Sequence, residues 1–479
     1  MKFLRFSLPG LSLATLLAGC RMMSIDDQVA SSPREIWTPV ASAQPAQPLT
    51  FAPISGNVSG AELSLPTLID LALSNNPQTR AAWHDAKSAA AQLGEANSAY
   101  YPTVSGNLAF DRNKVRTVGV NGSTFAGTTY STTYGPSLGI NYVLWNFGKR
   151  EAQTEAARQA LYAANYLYNQ QIQDVILATE LAYFNFDAAE GFVAAAQAIL
   201  DDANASLKAA DQRLSAGLGT KQEDLQASAQ VSNAEYQLEV AQSQVETARA
   251  QLALSLGIPV TDKLNIQRSQ KLDSSAKIDD DISQLMALAM RQRPDLMAAY
   301  ATVLEGEHNV EAAKADEKPV ISAISNLSYG YVSAGVTHGN PQNNYMVGLQ
   351  VSWQIFTGFE KTYAILDAQE REDAAREVLH SQELKVVTDV WNFFYSYKNA
   401  LRQVDSTNAQ VAAQQEAFNA INTGYKAGLN TYVDLQTALS SLATALQQQV
   451  QAEATLGASI ANLAHATGNM PAGQAGTAK

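Results

Sequence analysis

The residue with the clearest chemistry is the only cysteine, Cys20. Lys2 and Arg5 precede a mostly apolar stretch from Phe6 to Leu17, and Leu17-Ala18-Gly19-Cys20 follows. That order is a secretory signal ending in a lipobox: small residues fit the signal peptidase, and the thiol receives a lipid before cleavage. Residues 1–19 are therefore read as a signal peptide. Arg21, rather than an aspartate, follows the cysteine, a pattern that resembles outer-membrane sorting. Losing Lys2 and Arg5 moves the formal net charge from −13 to −15. One cysteine excludes an intrachain disulfide.

Other reactive side chains form no constellation. His84, His308, His338, His380 and His465 are scattered, and none pairs at metal-ligand spacing. No Gly-x-Ser-x-Gly, Walker or HExxH pattern occurs. The methionines do not cluster outside Met22-Met23. The expectation is no enzyme: no catalytic residue, no metal site and no cofactor beyond the lipid on Cys20. Two small-residue turns stand out instead, Ser215-Ala-Gly-Leu-Gly-Thr220 and Lys426-Ala-Gly-Leu-Asn-Thr431. Gly217 and Gly428 permit the positive φ of a tight helix reversal.

The chain that must position these features has 479 residues, of which 46 % are apolar and only 16 % charged. Much of the apolar share is alanine, which favours helices and their close packing. No Lys/Arg-rich run exists, so a nucleic-acid partner is not expected. Beyond the signal no run of about 18 apolar residues appears, so a membrane role must come through strands or the lipid. Residues 20–62, rich in Ala, Ser, Pro and Gln, read as a lipid-anchored tether.

The rest is a tandem duplication. Leu71 to Pro77 parallels Leu288 to Pro294, and the offset of 217 holds to Pro102 and Pro319. Trp145-Asn-Phe-Gly148 sits against Phe356-Thr-Gly-Phe359 at an offset of 211, as do the two turns. The division is a first repeat at 63–264, a linker at 265–280, a second repeat at 281–468 and a tail at 469–479. Each repeat reads as helix, strand pair, long helix, tight turn, helix. The opening helices are predicted over 65–100 and 282–318, each ended by a proline.

Then the period becomes two. Val104, Leu108 and Phe110 share one face, as do Leu138, Ile140, Tyr142 and Leu144. Ile321, Leu327, Tyr329 and Tyr331 do so in the second repeat, and Tyr345, Val347, Leu349, Val351 and Trp353 form the clearest stripe. Strands of about ten residues, apolar on one face and small or polar on the other, suit a lipid-facing barrel with a wet interior. The long helices are proline-free. In the second, Val387, Val390, Phe394, Tyr397, Leu401 and Val404 mark a coiled-coil seam, duplicated as Ile176, Thr179, Tyr183, Phe186, Glu190 and Val193. About 65 residues at 1.5 Å each give a rod of about 100 Å.

Four strands cannot close a barrel in lipid, where open edges are not tolerated. Two chains would supply eight strands and three chains twelve; eight leave no lumen, twelve do. The fold class is therefore mixed but mainly α: four strands per chain toward a shared barrel, with long helices extending its wall.

This order of elements, the duplication, the proline-marked helix ends and the Gly-Leu-x-Thr turns resemble the TolC family of outer-membrane factors, over nearly all of 65–468. The resemblance implies a homotrimer with a shared twelve-stranded barrel and a coiled-coil tunnel in the periplasm. It implies a Gram-negative outer-membrane location, a periplasmic adaptor protein and an inner-membrane pump. The lipobox resembles the lipoprotein branch whose pumps are proton-driven rather than ATP-driven. In the family the turns form the periplasmic tip, where the adaptor docks; here that is Gly217, Leu218 and Thr220 with Gly428, Leu429 and Thr431. Tyr425, Gly428 and Asp434 match the family's pattern of tyrosine, glycine and inward acid. Asp224, seven residues after Gly217, is the first-repeat candidate, which implies one inserted residue. Asn430 stands where the family can carry a base. Three Asp434 carboxylates around a narrow mouth would repel one another, raise their pKa values and attract cations. Asp434 equally suits a helix N-terminus. The expected function is a passive exit channel for small molecules in a tripartite efflux pump. The alternatives are the outer-membrane channel of a type I protein secretion system and a non-channel coiled-coil lipoprotein. The alternating strands, with Tyr and Trp at their ends, argue against the last.

Overall fold

The computed structural model describes residues 63–117, 127–261, 265–267, 281–334 and 340–469. The signal, Cys20 and the tether lie outside the described residues, as does most of the linker. The element order is α1 (Leu65–Asn75), α2 (Pro77–Ser98), β1 (Thr103–Thr117), β2 (Gly127–Trp145), α3 (Lys149–Ser215) and α4 (Lys221–Leu256). The second repeat follows as α5 (Ile282–Gln292), α6 (Pro294–Ala315), β3 (Val320–Ala334), β4 (Asn340–Ser352), α7 (Glu360–Lys426) and α8 (Tyr432–Thr467).

Two expectations need correction. The opening helices are each broken in two, because a residue before proline is pushed out of the helical region. Asn76 and Arg293, at ψ 126° and 121°, are those residues. Buried Asn76 bridges the break: its Oδ1 accepts from Gln78 N at 2.8 Å and its Nδ2 donates to Ser255 O at 3.0 Å. Arg293, also buried, donates to Asp295 Oδ2 at 2.6 Å and to Asp389 Oδ2 at 3.0 Å, tying the second break to α7. The strands are also longer than ten residues, at 15, 19, 15 and 13. They continue past the apolar stretch into polar sequence that still alternates.

The four strands form one antiparallel sheet in the order β1-β2-β3-β4. β1 and β4 are edges, each with one side unpaired within the chain. Pairing aligns Leu138 with Leu327 and Leu327 with Tyr345, so the apolar residues of neighbouring strands share a face. A register shift between Val143 and Trp145 sets Trp145 opposite Ile321, which brings that tryptophan onto the apolar face. Trp353 donates its Nε1–H to Glu317 O at 3.0 Å. From Trp145 to Tyr134 is eleven residues of β2. That is about 36 Å along the strand and roughly 27 Å of height at a ~40° tilt, close to the apolar band of an outer-membrane barrel.

Sheet passes into helix through paired left-handed residues. Phe147 and Gly148 have φ 54° and 92°, and Gly358 and Phe359 have φ 65° and 69°. The two junctions use the same pair of residue types in opposite order. A cation on the first turn of each long helix then caps the helix that led into the sheet. Arg150 Nη1 donates to Ala99 O and, at 3.1 Å, to Val143 O. Lys361 donates to the backbone oxygen of Asp316, whose carboxylate pairs with Lys149. The Lys149 ammonium, with Lys361 behind it, holds the Asp316 carboxyl below the usual range.

α3 and α7 each span 67 residues, about 100 Å. The seam on α7 is Val386, Val390, Phe394, Tyr397, Ala400 and Val404. Val387 is exposed, and Ala400 rather than Leu401 is fully buried, so the stripe lies one residue N-terminal to its expected line at those two steps. On α3, Ile176, Thr179, Tyr183 and Phe186 are buried as expected, whereas Glu190 and Val193 are only partly so. Three main clusters hold the helices. One joins α1, α3 and α4 around Leu68, Val175, Leu252 and Leu256, one joins α5, α7 and α8 around Val386, Val390 and Phe394, and one joins the far ends of α3, α4, α7 and α8. Leu252 is wholly buried in the first. Leu252→Ala should lower stability by about 2–5 kcal/mol, seen as a lowered Tm of the helical circular-dichroism signal, with the strand content unchanged.

Candidate functional site at the hairpin tips

Each repeat ends its long helix in a reversal that the sequence dictates. Gly217 and Gly428 take φ 72° and 78°. Leu218 N donates to Arg213 O at 2.8 Å, and Leu429 N to Gly424 O at 2.8 Å, closing the last turn of α3 and α7. Thr220 and Thr431 then cap α4 and α8, their hydroxyls accepting from Glu223 N and Asp434 N, both at 3.2 Å. Leu218 and Leu429 project at the apices, 72 % and 83 % exposed. Both tip turns therefore make the tight helix reversal expected of Gly217 and Gly428.

The caps also fix the register of the acids. Thr220 and Thr431 differ by 211, and so do Glu223 and Asp434. No residue is inserted in the first hairpin: Glu223, not Asp224, is the counterpart of Asp434. Asp224 falls on the counterpart of Leu435, and its Oδ2 accepts from Lys221 Nζ at 2.5 Å. Asp434 closes a capping box, its Oδ2 accepting from Thr431 N at 2.9 Å and from Thr431 Oγ1 at 2.7 Å. Those bonds, the hydroxyl first, hold the Asp434 carboxyl below the usual aspartate range. Within one chain this is opposite to the rise expected from crowded acids.

At the tips the two hairpins meet at Tyr425. It is 1 % exposed, and its ring packs at 5.9 Å against that of buried Tyr432. Its hydroxyl donates to Glu223 Oε2 at a long 3.4 Å. Arg213 reaches over from α3: Nη1 donates to Tyr425 O at 2.9 Å, Nη2 to Leu218 O at 3.3 Å, and the guanidinium lies 4.9 Å from the Tyr425 ring. Burial, and then the Glu223 charge, raise the Tyr425 pKa. Burial pushes Tyr432 up to about 12. Both phenols stay protonated at any physiological pH, so Tyr425 can serve only as a neutral donor to the acid.

Arg213 and Glu223 escaped the sequence reading, although the fixed offset marks Glu223. Arg213 had no such marker, because its counterpart is Gly424. The structure explains the exchange. A Cβ on Gly219 would meet the Arg213 side chain at 3.1 Å, and one on Gly424 would meet the Asn430 side chain at 2.8 Å. Each hairpin keeps one bulky residue and one glycine at these facing positions, with the order reversed. Arg213 thereby brings a cation onto the second hairpin, where Asn430 is neutral.

Among the described residues no group of three or more His, Cys, Asp or Glu could hold a metal ion, and no helix is long and apolar enough to cross a membrane. His465 bonds Asp174 across 2.8 Å, joining α8 to α3 far from the tips.

Comparison with known proteins agrees with this architecture. The model of the family described as outer membrane efflux protein matches residues 68–258 and 285–469, one segment in each repeat. The outer membrane efflux protein BepC of Brucella suis is 24 % identical over 384 residues, 80 % of either chain. The outer membrane protein TolC of Escherichia coli K12 is 24 % identical over 79 % of this chain and 76 % of its own. The crystal structure of the Campylobacter jejuni CmeC outer membrane channel superposes with a TM-score of 0.73 at 20 % identity, over 85 % of each chain.

The cap makes a signed prediction. Because the folded-state pKa of Asp434 is depressed, its stabilisation of α8 is full above the unfolded value of about 4 and is lost as pH falls through the lower folded value. Amide hydrogen exchange at the start of α8 should speed up in that acid window, and Asp434→Asn should remove the pH dependence. Thr431→Ala should loosen the same turn by about 1 kcal/mol at neutral pH.

Proposed function

The chain belongs to the outer membrane efflux protein family, and we propose that it is the passive exit duct of a tripartite pump, three copies sharing one barrel and one helical tunnel. Its place is the outer membrane. One observation carries the reading: a four-stranded sheet, apolar on one face and open at both edges, runs directly into two 67-residue helices. In lipid such a sheet needs partners on β1 and β4, and three copies give the twelve strands that leave a bore. The helices then continue the wall away from the membrane. The duct performs no chemistry; the solute crosses it and the work is done elsewhere.

The partners follow from the same reading. A periplasmic adaptor seats on the hairpin tips, where Leu218 and Leu429 offer apolar knobs beside Gly217, Thr220, Gly428 and Thr431. An inner-membrane pump delivers small molecules; the lipobox supports a proton-driven one. Cys20 carries the lipid. At the mouth, the contact of Tyr425 with Glu223 and Arg213 joins the two hairpins of one chain and holds them in the closed arrangement. Asp434 lies on the equivalent turn of the second hairpin and adds negative charge there, while Asp224 is occupied with Lys221.

In planar bilayers the purified protein should form a heat-modifiable trimer that conducts ions. The double variant Tyr425→Phe/Glu223→Gln should raise its single-channel conductance several-fold without dissociating it. A protein that stays monomeric and never conducts overturns the duct. A conducting trimer indifferent to the double variant removes these residues from the gate. Cys20→Ala should abolish incorporation of radiolabelled palmitate.

A further inference from the structure

All three cations of the sheet, Arg112, Lys114 and Arg116, lie on β1, and the other strands carry none. They share the parity of Val104, Leu108 and Phe110, so the pleat sets them on the apolar, lipid-facing side. They also lie at the end of the strand far from the helices. On that face an aromatic row closes the apolar band: Phe110 packs on Tyr134 at 6.4 Å, and Tyr134 stacks on Tyr331 at 5.5 Å. Arg112, Lys114 and Arg116 begin two residues beyond it, roughly 5 to 15 Å higher at ~3.3 Å per residue and ~40° tilt. This is headgroup depth, on the side facing the cell exterior.

Their charge is uncompensated. The sheet's only acid, Asp111, has the opposite parity and faces the interior. None of the three cations forms an ion pair with a described residue. Arg112 and Lys114 instead sit over the Tyr130 ring, 5.8 and 5.5 Å from its centroid, a contact that steadies both side chains while leaving their donors free. All three are exposed. In a chain of net charge −13 such a segregated basic row is out of character with the rest of the molecule.

Resting on the outer-membrane reading above, we propose that Arg112, Lys114 and Arg116 bind the phosphates of the outer-leaflet glycolipid, with Tyr130 bracing the site. An arginine offers a planar fork for a phosphate, a lysine a point charge, and the aromatic row below fits the acyl–headgroup boundary. Nine cations would ring a trimer in a band roughly 10 Å deep. They would anchor the barrel's height against the leaflet whose lipids carry the complementary charge.

The test compares the full-length protein with R112Q/K114Q/R116Q, and with D111N as a control on the other face. Each is reconstituted with bis-phosphorylated lipid A, with dephosphorylated lipid A, or with neither, and bound lipid is counted by native mass spectrometry. The expected result is retention of phosphorylated lipid A by the wild type and by D111N. The triple variant should weaken that retention by about a hundredfold at ~1 kcal/mol per charge, with trimer and conductance intact. Equal retention by the triple variant, equal retention of dephosphorylated lipid, or displacement by millimolar inorganic phosphate alone overturns the proposal. In each of those cases an intact conducting trimer leaves the exit-duct reading standing, and its absence would fault that reading instead.

Discussion

The unpaired backbone of β1 and β4 governs this molecule. An N–H or C=O facing hydrocarbon without a partner costs several kcal/mol, and each edge strand presents a row of them. No part of the described chain covers those edges. The remaining features make sense as accommodations to that constraint. Apolar side chains occupy one face only; the register keeps them aligned across three strand pairs; a bulge turns Trp145 to the same side as Ile321. A sheet with those properties is a third of a wall, and the rest of the chain is organised around completing it.

Rigid continuity does the remaining mechanical work. The left-handed pairs Phe147-Gly148 and Gly358-Phe359 turn strand into helix within two residues. Arg150 and Lys361 each tie the incoming helix to the outgoing one at its corner. From there α3 and α7 run without a proline; α3 packs on α4 largely through alanines such as Ala203, Ala210, Ala227 and Ala234, which let helix backbones approach closely. The position of the tips is thus set at the membrane, about 100 Å away, and the Arg213–Tyr425–Glu223 contact has only to join two hairpins already delivered side by side.

Much of this was legible in the residues. Period-two stripes such as Tyr345 to Val351 and long proline-free stretches have strong, unambiguous signals, because each reflects one repeated geometry. What escaped depended on local exceptions or on pairs distant in sequence. Pro77 and Pro294 read as repeat markers, while their power to break a helix at buried Asn76 and Arg293 needed the distant partners Ser255 and Asp389 to become visible. The α7 stripe slid by one residue because Ala400 packs where the larger Leu401 seemed the better candidate. Asp224 drew attention over Glu223 by residue type, although the cap at Thr220 assigns the helical position. Arg213 could not be seen at all without the neighbouring hairpin, since its role is a bond to a backbone oxygen 212 residues away.

The reversed order of bulky residue and glycine at Arg213/Gly219 and Gly424/Asn430 has a broader meaning. Duplication created two hairpins of one shape, and this exchange made them chemically unlike while leaving the shape alone. A closed ring of such chains would alternate arginine-bearing and asparagine-bearing crowns around its rim. A collar that grips every crown must then either carry two kinds of subunit or teach a single kind to hold on in two ways.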